Sequence, residues 1–507
     1  MASDSQTQSP ASAGVKANGQ KGFVAQMISG HSAVGLAVGA LMYIICVSGT
    51  LMVFHEEFQR WEQPNATEFA VGGAEPAAVA RAADAALARV GESPHHFYVG
   101  LPTEGLPRLS VAYDDSHGWF ADADGNLGEE VHHPWSEFLE GLHYYLHLPN
   151  TLGLTVVGIL GAMLVGLVIS GVLAHPKIFR DAFAMRLRGN KQLAEADLHN
   201  RLSVWGAPFH FVVAVTGAAI GLASVLSYIA ADTYLEGDFE AFYEPVFGSD
   251  PAEDETPAPV ANIAAALTNL KAEAEGVVPW YVMMHDPGTK GQGAIILAEH
   301  PGRLIYGENY YFDEAGTITG KLGHSDGPVG QQIVASAYTV HFGSFGGLPV
   351  KLIYGVLGLA ISIVSATGVN IWLIKRREKG RPAPKLELAW AATIWGTPLA
   401  LGCSFIAAVS GMVDDALITA IFWLVLLGLI SLSLLATDRA AFSRGLRMGA
   451  GGLIVLGVAL KWGAYWGEVT SPAAVWVNVA FLMTAAIFIW QGWPARRGRK
   501  MVSSAAE

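Results

Sequence analysis

Eight separate runs of about twenty apolar residues dominate this 507-residue chain, and that is the length a helix needs to cross roughly 30 Å of hydrocarbon. They fall at about 24–54, 149–174, 203–230, 348–374, 391–413, 416–437, 449–466 and 474–493. Apolar residues make up 52% of the chain and charged residues only 15%. The expected fold class is therefore an α-helical integral membrane protein of about eight transmembrane helices, with the lipid bilayer as its first partner.

Basic loops stay in the cytoplasm, so lysine and arginine orient the spans. The stretch 176–201 carries Lys177, Arg180, Arg186, Arg188, Lys191 and Arg201, whereas the much longer loop 55–140 carries only Arg60, Arg81, Arg89 and Arg108. Lys375, Arg376, Arg377, Lys379, Arg381 and Lys385 follow span four, and Arg496, Arg497, Arg499 and Lys500 close the chain. Every even-numbered span is thus expected to end inside, with both termini cytoplasmic. Residues 1–20, rich in Ser, Gln and Ala, read as a disordered cytoplasmic tail rather than a cleaved signal. The formal net charge is −13, most of it in the two large loops, which argues against nucleic acid as a partner.

The chain is internally duplicated. His31 lies eighteen residues before Gly49 of the Ser48-Gly49 pair, and His199 lies eighteen before Gly217 of Thr216-Gly217. His143 precedes Gly171 of Ser170-Gly171 by twenty-eight residues, and His341 precedes Gly368 of Thr367-Gly368 by twenty-seven. Between the spans of each half lies a small α+β module, at about 65–135 and about 237–330. In the first, a helix opening at Glu75-Pro76 runs to Val90, strands follow at 96–101 and 108–113, and Trp119-Phe120 precede the turn Asp122-Ala123-Asp124-Gly125. The second repeats this with a helix at 259–275, strands near 279–284 and 293–298, and Tyr311-Phe312 before Asp313-Glu314-Ala315-Gly316. The expected organisation is a tail at 1–20, repeat 1 over 21–190, repeat 2 over 195–380 and a C-terminal four-span block over 386–500. Duplicated spans running in one direction imply a pseudo-twofold axis along the membrane normal.

Histidine in a membrane span is costly unless it faces protein or a cofactor. Eighteen residues at 1.5 Å each set His31 and His199 about 27 Å from their glycine markers, at the cytoplasmic end, while His143 and His341 fall at the other. A twofold axis brings equivalent residues face to face, which predicts one haem between His31 and His199 and a second between His143 and His341. Cys46 and Cys403 lie inside spans and form no C-x-x-C-H motif, so both haems would be non-covalent, b-type and bis-histidine. Such iron has no open position and moves electrons. Gly35, Gly39, Ser203 and Ala207, on the same faces as the histidines, leave room for a porphyrin or equally for close helix packing.

The remaining histidines lack a duplicated partner. His210 opposite Met42 is a weaker haem candidate, His147 at i+4 from His143 is a weaker cofactor or metal ligand, and His175, which corresponds to Trp372, is a weaker cofactor-binding candidate. His95, His96, His117, His132 and His133 read as solvated loop residues. Trp135, Tyr144, Tyr145 and Tyr338 are candidates for the floor of an acceptor site, and Lys351 for a propionate partner or a snorkelling residue.

The motif set His31-Ser32-Ala33-Val34-Gly35-Leu36, Ser48-Gly49, Leu142-His143, Ser170-Gly171, Asp197-Leu198-His199, Thr216-Gly217, His341-Phe342-Gly343 and Thr367-Gly368 with Lys375-Arg376-Arg377 resembles the PepSY-associated transmembrane family. That family includes bacterial inner-membrane ferrisiderophore reductases and iron-regulated membrane proteins. The resemblance implies a four-helix core with two b haems, PepSY modules in the periplasm, and reduction of a ferric siderophore or other ferric chelate outside. No G-x-G-x-x-G follows a strand, so the electron donor is expected to be a quinol or a separate cytoplasmic reductase. The rival expectations are a metal or siderophore permease or assembly factor, and a PepSY-type regulatory binding protein without redox activity.

Overall fold

Backbone polar groups in hydrocarbon must be satisfied within the segment that carries them, so the long apolar runs have helix as their only open form. In the computed structural model, residues 10–494 are described apart from 92–93, 115–116, 176–177, 181–182, 184–190, 240, 243, 245–247, 249–253, 301 and 465–470. Among the described residues eight helices are long and apolar enough to span: Gly22–Met52, Asn150–Ala174, Ala207–Tyr234, Gly347–Glu378, Pro384–Ser410, Asp415–Ser433, Arg439–Ala464 and Pro472–Gly492. The chain is a multi-pass α-helical membrane protein. Leu152, Ile159 and Ile169 stand exposed on one span and Leu226 and Ile229 on another, the faces that acyl chains cover.

Contacts divide the chain into two units, Met1–Glu378 with Glu468–Ala474 and Lys379–Gly467 with Val475–Glu507. The first unit opens with α1 (Pro10–Met52) and α2 (His55–Glu62). A first module follows: α3 (Pro76–Val90), β1 (His96–Gly100), β2 (Leu109–Tyr113), β3 (His117–Ala121) and β4 (Leu127–Glu130). Then come α4 (Pro134–Tyr145), α5 (Asn150–Ala174), α6 (Lys191–Trp205) and α7 (Ala207–Tyr234). The second module is α8 (Ile263–Glu273), β5 (Val278–His285), β6 (Gly293–Glu299), β7 (Glu308–Phe312) and β8 (Ile318–Leu322), followed by α9 (Val329–Phe342) and α10 (Gly347–Glu378). The other unit holds α11 (Pro384–Ser410), α12 (Asp415–Ser433), α13 (Arg439–Ala464) and nearly all of α14 (Pro472–Gly492). Within it α11 packs on both α12 and α13, Ser404 Oγ donates to the Ile418 carbonyl at 3.2 Å, and Arg439 pairs with Glu387 at 3.3 Å.

Two expectations need correction. The backbone of residues 10–20 is helical and continuous with the first span, because extending an existing helix fixes one residue per hydrogen bond whereas starting one is costly; residues 1–9 lie outside the described residues. The third span is broken at Gly206 into α6 and α7. Pro208 lacks an N–H and its ring clashes with the carbonyl four residues back, whereas Ala40, the equivalent position, leaves α1 unbroken.

The two modules form a single antiparallel sheet in the order β4-β3-β2-β1-β5-β6-β7-β8. The join is β1 against β5, with His96 opposite His285, Tyr98 opposite Met283 and Gly100 opposite Tyr281. Strand alternation sends Phe97, Val99, Val282, Met284 and Ile296 into one core with Ala82, Ala86, Ala266 and Leu270 from α3 and α8. Pairing the two innermost strands removes two sheet edges that would otherwise be open templates.

The turns are duplicated too. Asp122 Oδ1 accepts from the backbones of Asp124 and Asn126 at 2.9 Å each, and Asp313 Oδ1 accepts from Thr317 at 2.8 Å. Gly125 and Gly316 complete them at φ +83° and +81°, a region open to glycine at little cost. A Cβ on Gly316 would lie 2.6 Å from Ala265 Cβ, and one on Gly125 would meet the Ala78 carbonyl oxygen. Gly316→Ala should therefore destabilise the protein by about 1–3 kcal/mol, seen as a lower unfolding midpoint in intrinsic-fluorescence melts; an unchanged midpoint would contradict this packing.

Candidate functional site

Two short helices outside the spans deliver His143 and His341. Buried Glu62 at the end of α2 accepts from the backbone N–H groups of Trp135 and Ser136 at 2.7 and 3.0 Å and from Ser136 Oγ at 2.6 Å. A carboxylate there satisfies donors that a helix start leaves open and suits the positive end of its dipole. α4 is thereby fixed at its beginning, and His143 lies in its last turn. α9 is fixed at its end instead: Tyr354 Oη donates to the Val340 carbonyl at 2.6 Å, and His341 occupies the last turn before Gly343 at φ +69°.

Each of the four duplicated histidines is gripped by a hydroxyl-glycine pair on a neighbouring helix. His31 Nδ1 lies 3.1 Å from both the Leu167 carbonyl and Ser170 Oγ, and its ring rests against Gly171. His199 Nδ1 lies 3.1 Å from the Val364 carbonyl and 3.2 Å from Thr367 Oγ1, with the ring against Gly368. His143 Nδ1 is 3.3 Å from Ser48 Oγ and His341 Nδ1 is 3.1 Å from Thr216 Oγ1. Their rings also bond the backbone of Ile45 and Val213, three residues before each hydroxyl, and rest on Gly49 and Gly217. With Nδ1 engaged in every case, Nε2 is the nitrogen each ring offers to a ligand. A carbonyl partner also fixes the tautomer that makes Nε2 the lone-pair nitrogen.

The rings meet in pairs across the bundle. His31 and His199 have centroids 6.4 Å apart and planes at 87°; His143 and His341 are also 6.4 Å apart, with planes at 16°. α1 packs on α5 and α10, α7 packs on α5, and α6 packs on α10. Each pair is therefore enclosed by both halves of the repeat.

The weaker candidates have other placements. His147 Nε2 bonds the Phe138 carbonyl at 3.0 Å and its ring stacks on Phe138, so it closes the end of α4. His175 caps the end of α5 through its backbone. His210 is buried with Nε2 lacking a hydrogen-bond partner among the described residues, while its ring bonds the backbone of Leu357; Met42 is buried.

Lys351 Nζ sits between Glu56 Oε2 at 2.6 Å and Glu57 Oε1 at 2.8 Å, so it ties α10 to α2. Trp135 is buried and stacks on Phe138, which removes it from any surface floor, and His133 is buried rather than solvated. Tyr144 stacks on Phe342 at 6.1 Å, Phe342 contacts Tyr338, and Tyr338 contacts Tyr306, giving a chain of rings from the His143–His341 pair toward the second module. Burial, reinforced by Glu140, pushes the Tyr144 phenol up from its ordinary value. It therefore stays neutral.

Sequence reasoning used the Ser/Thr-Gly pairs as depth markers and missed their role as the histidines' partners. The signal was present in the fourfold recurrence of hydroxyl followed by glycine, which is what an imidazole needs to approach a helix backbone and bond to it at once.

The model of the PepSY-associated TM region matches residues 28–375. The chain belongs to this family. It is also similar to the uncharacterized protein PA4219 of Pseudomonas aeruginosa, with 23% identity over 254 residues that cover 48% of this chain and 64% of that protein's length.

A Cβ on Gly49 or Gly217 would lie 2.6 or 2.7 Å from Cε1 of His143 or His341, whereas on Gly171 or Gly368 the distance to His31 or His199 is 3.3 Å. Gly49→Ala and Gly217→Ala should each cost about 1–3 kcal/mol by overpacking, and Gly171→Ala and Gly368→Ala less. Thermal unfolding of the four variants checks the order; equal effects across the set would refute it.

Proposed function

We propose that this PepSY-associated transmembrane protein is a di-haem b oxidoreductase that carries electrons from the cytoplasmic side to a ferric chelate, a ferric siderophore above all, at the periplasmic face. The observation that carries the reading is the 6.4 Å separation in both histidine pairs. Two imidazoles bound to one iron at about 2.0 Å, each ring centre about 1.1 Å further out, stand roughly 6.2 Å apart. Direct hydrogen bonding between the rings would bring them closer. A b-type haem between two such nitrogens supplies one-electron transfer without an open position for oxygen or substrate.

The chain's own residues hold and orient the iron ligands. Ser170, Thr367, Ser48 and Thr216 fix the ring rotations, and Gly171, Gly368, Gly49 and Gly217 allow each ring against its helix. Eighteen residues of α1 separate His31 from Gly49, so the two pairs stand about 27 Å apart along the bundle. The basic stretches at 176–201 and 375–385 put the His31–His199 pair at the cytoplasmic end, where a quinol or separate reductase would deliver electrons. The two inter-span modules are then periplasmic, PepSY-like and next to the His143–His341 pair. Tyr144, Phe342 and Tyr338 line the way out from it, so the ferric acceptor is expected to dock there.

Full-length protein in nanodiscs should show a Soret band and resolved α and β bands on dithionite reduction. His143→Ala and His341→Ala should each retain one haem of two and lose at least 100-fold in ferric-chelate reduction; retained activity in both would refute the reading. The differing ring planes also predict two distinct low-spin ferric EPR signals. Near-perpendicular imidazoles at His31–His199 give one strongly axial signal, and near-parallel ones at His143–His341 give a rhombic signal, so a single signal would count against this geometry.

A further inference from the structure

We propose that His95, His96 and His285 form a divalent transition-metal site, of the Zn(II) and Cu(II) class, at the seam where β1 of the first module joins β5 of the second. Their ligand nitrogens all lie within 4.8 Å of one another. The ring centroids of His95 and His96 are 4.4 Å apart, those of His96 and His285 4.6 Å, and those of His95 and His285 6.1 Å. The site does not depend on the haem reading, and it is separate in sequence and structure from the two histidine pairs.

Strand register builds it. His96 and His285 are direct cross-strand partners, and their neighbours Phe97 and Met284 are wholly buried in the module core. Alternation then sends both imidazoles to the opposite, open face. His95 reaches the same place from just before β1. Two aspartates frame the cluster in left-handed backbone, Asp114 at φ +46° and Asp286 at φ +44°. Asp286 returns its N–H to the His95 carbonyl at 2.9 Å and Asp114 its N–H to the His96 carbonyl at 3.1 Å.

Asp286 also supplies what a metal-binding imidazole ordinarily has. Its Oδ1 lies 2.8 Å from His95 Nδ1, which holds the proton on Nδ1, turns Nε2 outward and raises its basicity. Tetrahedral nitrogens at 2.0–2.1 Å from a metal stand about 3.4 Å apart, so closure from 4.8 Å requires a shift of about 1.4 Å at most, within the reach of ring rotation. Three neutral imidazoles with a carboxylate behind one of them favour borderline ions over Mg(II) or Ca(II), which take oxygen. Any proton the rings carry is released on binding. A fourth position stays open to water or to a ligand from outside. Because the ligands come from both modules, an ion there would also pin the central seam of the sheet.

The test uses tag-free, full-length protein dialysed against ZnCl2, with bound metal counted by mass spectrometry, and Cu(II) EPR as a second probe. Expected are one Zn(II) equivalent that His285→Ala or His96→Ala removes, a 10–100-fold weaker affinity in Asp286→Asn, and a Cu(II) spectrum with coupling to several nitrogens. Visible absorbance of the preparation should be identical in wild type and His285→Ala, since that residue lies outside the two inner pairs. Equal Zn(II) stoichiometry and affinity in wild type, His96→Ala and His285→Ala would overturn the proposal, as would a Cu(II) spectrum of oxygen ligands alone.

Discussion

The contact on which the rest of the bundle depends is an imidazole Nδ1 held by a hydroxyl from the next helix, repeated four times and reinforced each time by a bond from the ring to that helix's backbone. A net hydrogen bond contributes only about 0.5–1.5 kcal/mol, so these contacts are not the main source of stability. What they supply is direction. An imidazole in an apolar bundle has no water to satisfy it, and a ring with one nitrogen fixed has a single remaining orientation. Leu167 with Ser170 and Val364 with Thr367 hold one pair; Ser48 and Thr216 hold the other. α1 carries both His31 and the Ser48-Gly49 clamp, so a single rigid helix sets the spacing between the two pairs.

Duplication makes this economical and also leaves room for difference. α1 is continuous, whereas its copy is interrupted at Gly206 ahead of Pro208, yet the eighteen-residue spacing from histidine to glycine is the same in both. The interruption does not disturb the clamps because His199 is held by α10 rather than by its own helix. Outside the spans the copies fuse, and β1–β5 pairing turns two four-stranded modules into one eight-stranded sheet. The halves are thus joined twice, by apolar packing with a few polar clamps in the bundle and by a backbone ladder in the sheet.

What was legible in the sequence follows from which interactions are local. The apolar runs, the repeated turns at Gly125 and Gly316 and the matched histidines are all visible as spacing along one chain, and spacing on a helix converts directly into depth. Azimuth does not. That Ser48 faces His143, or that Trp135 points inward to Phe138, depends on how helices rotate against one another, which a run of apolar residues leaves open. The same holds for the sheet: His95 and His285 are 190 residues apart in the sequence and become neighbours only because the modules pair edge to edge. Lys351 is a similar case, since the choice between headgroups, a cofactor acid group and Glu56 with Glu57 is made by the position of α2, a short helix that no apolar periodicity announced.

The surroundings of the two kinds of histidine site differ in a way that dielectric explains. Inside the bundle every Nδ1 partner is uncharged, a carbonyl, a serine or a threonine; at the sheet seam the partner is the Asp286 carboxylate, next to solvent. An ionised carboxylate placed among the spans would carry several kcal/mol of desolvation that a single imidazole does not repay, whereas a hydroxyl and a carbonyl orient the ring at little cost and leave it neutral. At the seam water screens the acid, and its charge strengthens the histidine it faces. The inner pairs therefore keep a fixed geometry with minimal charge. The outer cluster is built with a charged partner and an accessible face, which suits an ion that exchanges with solvent.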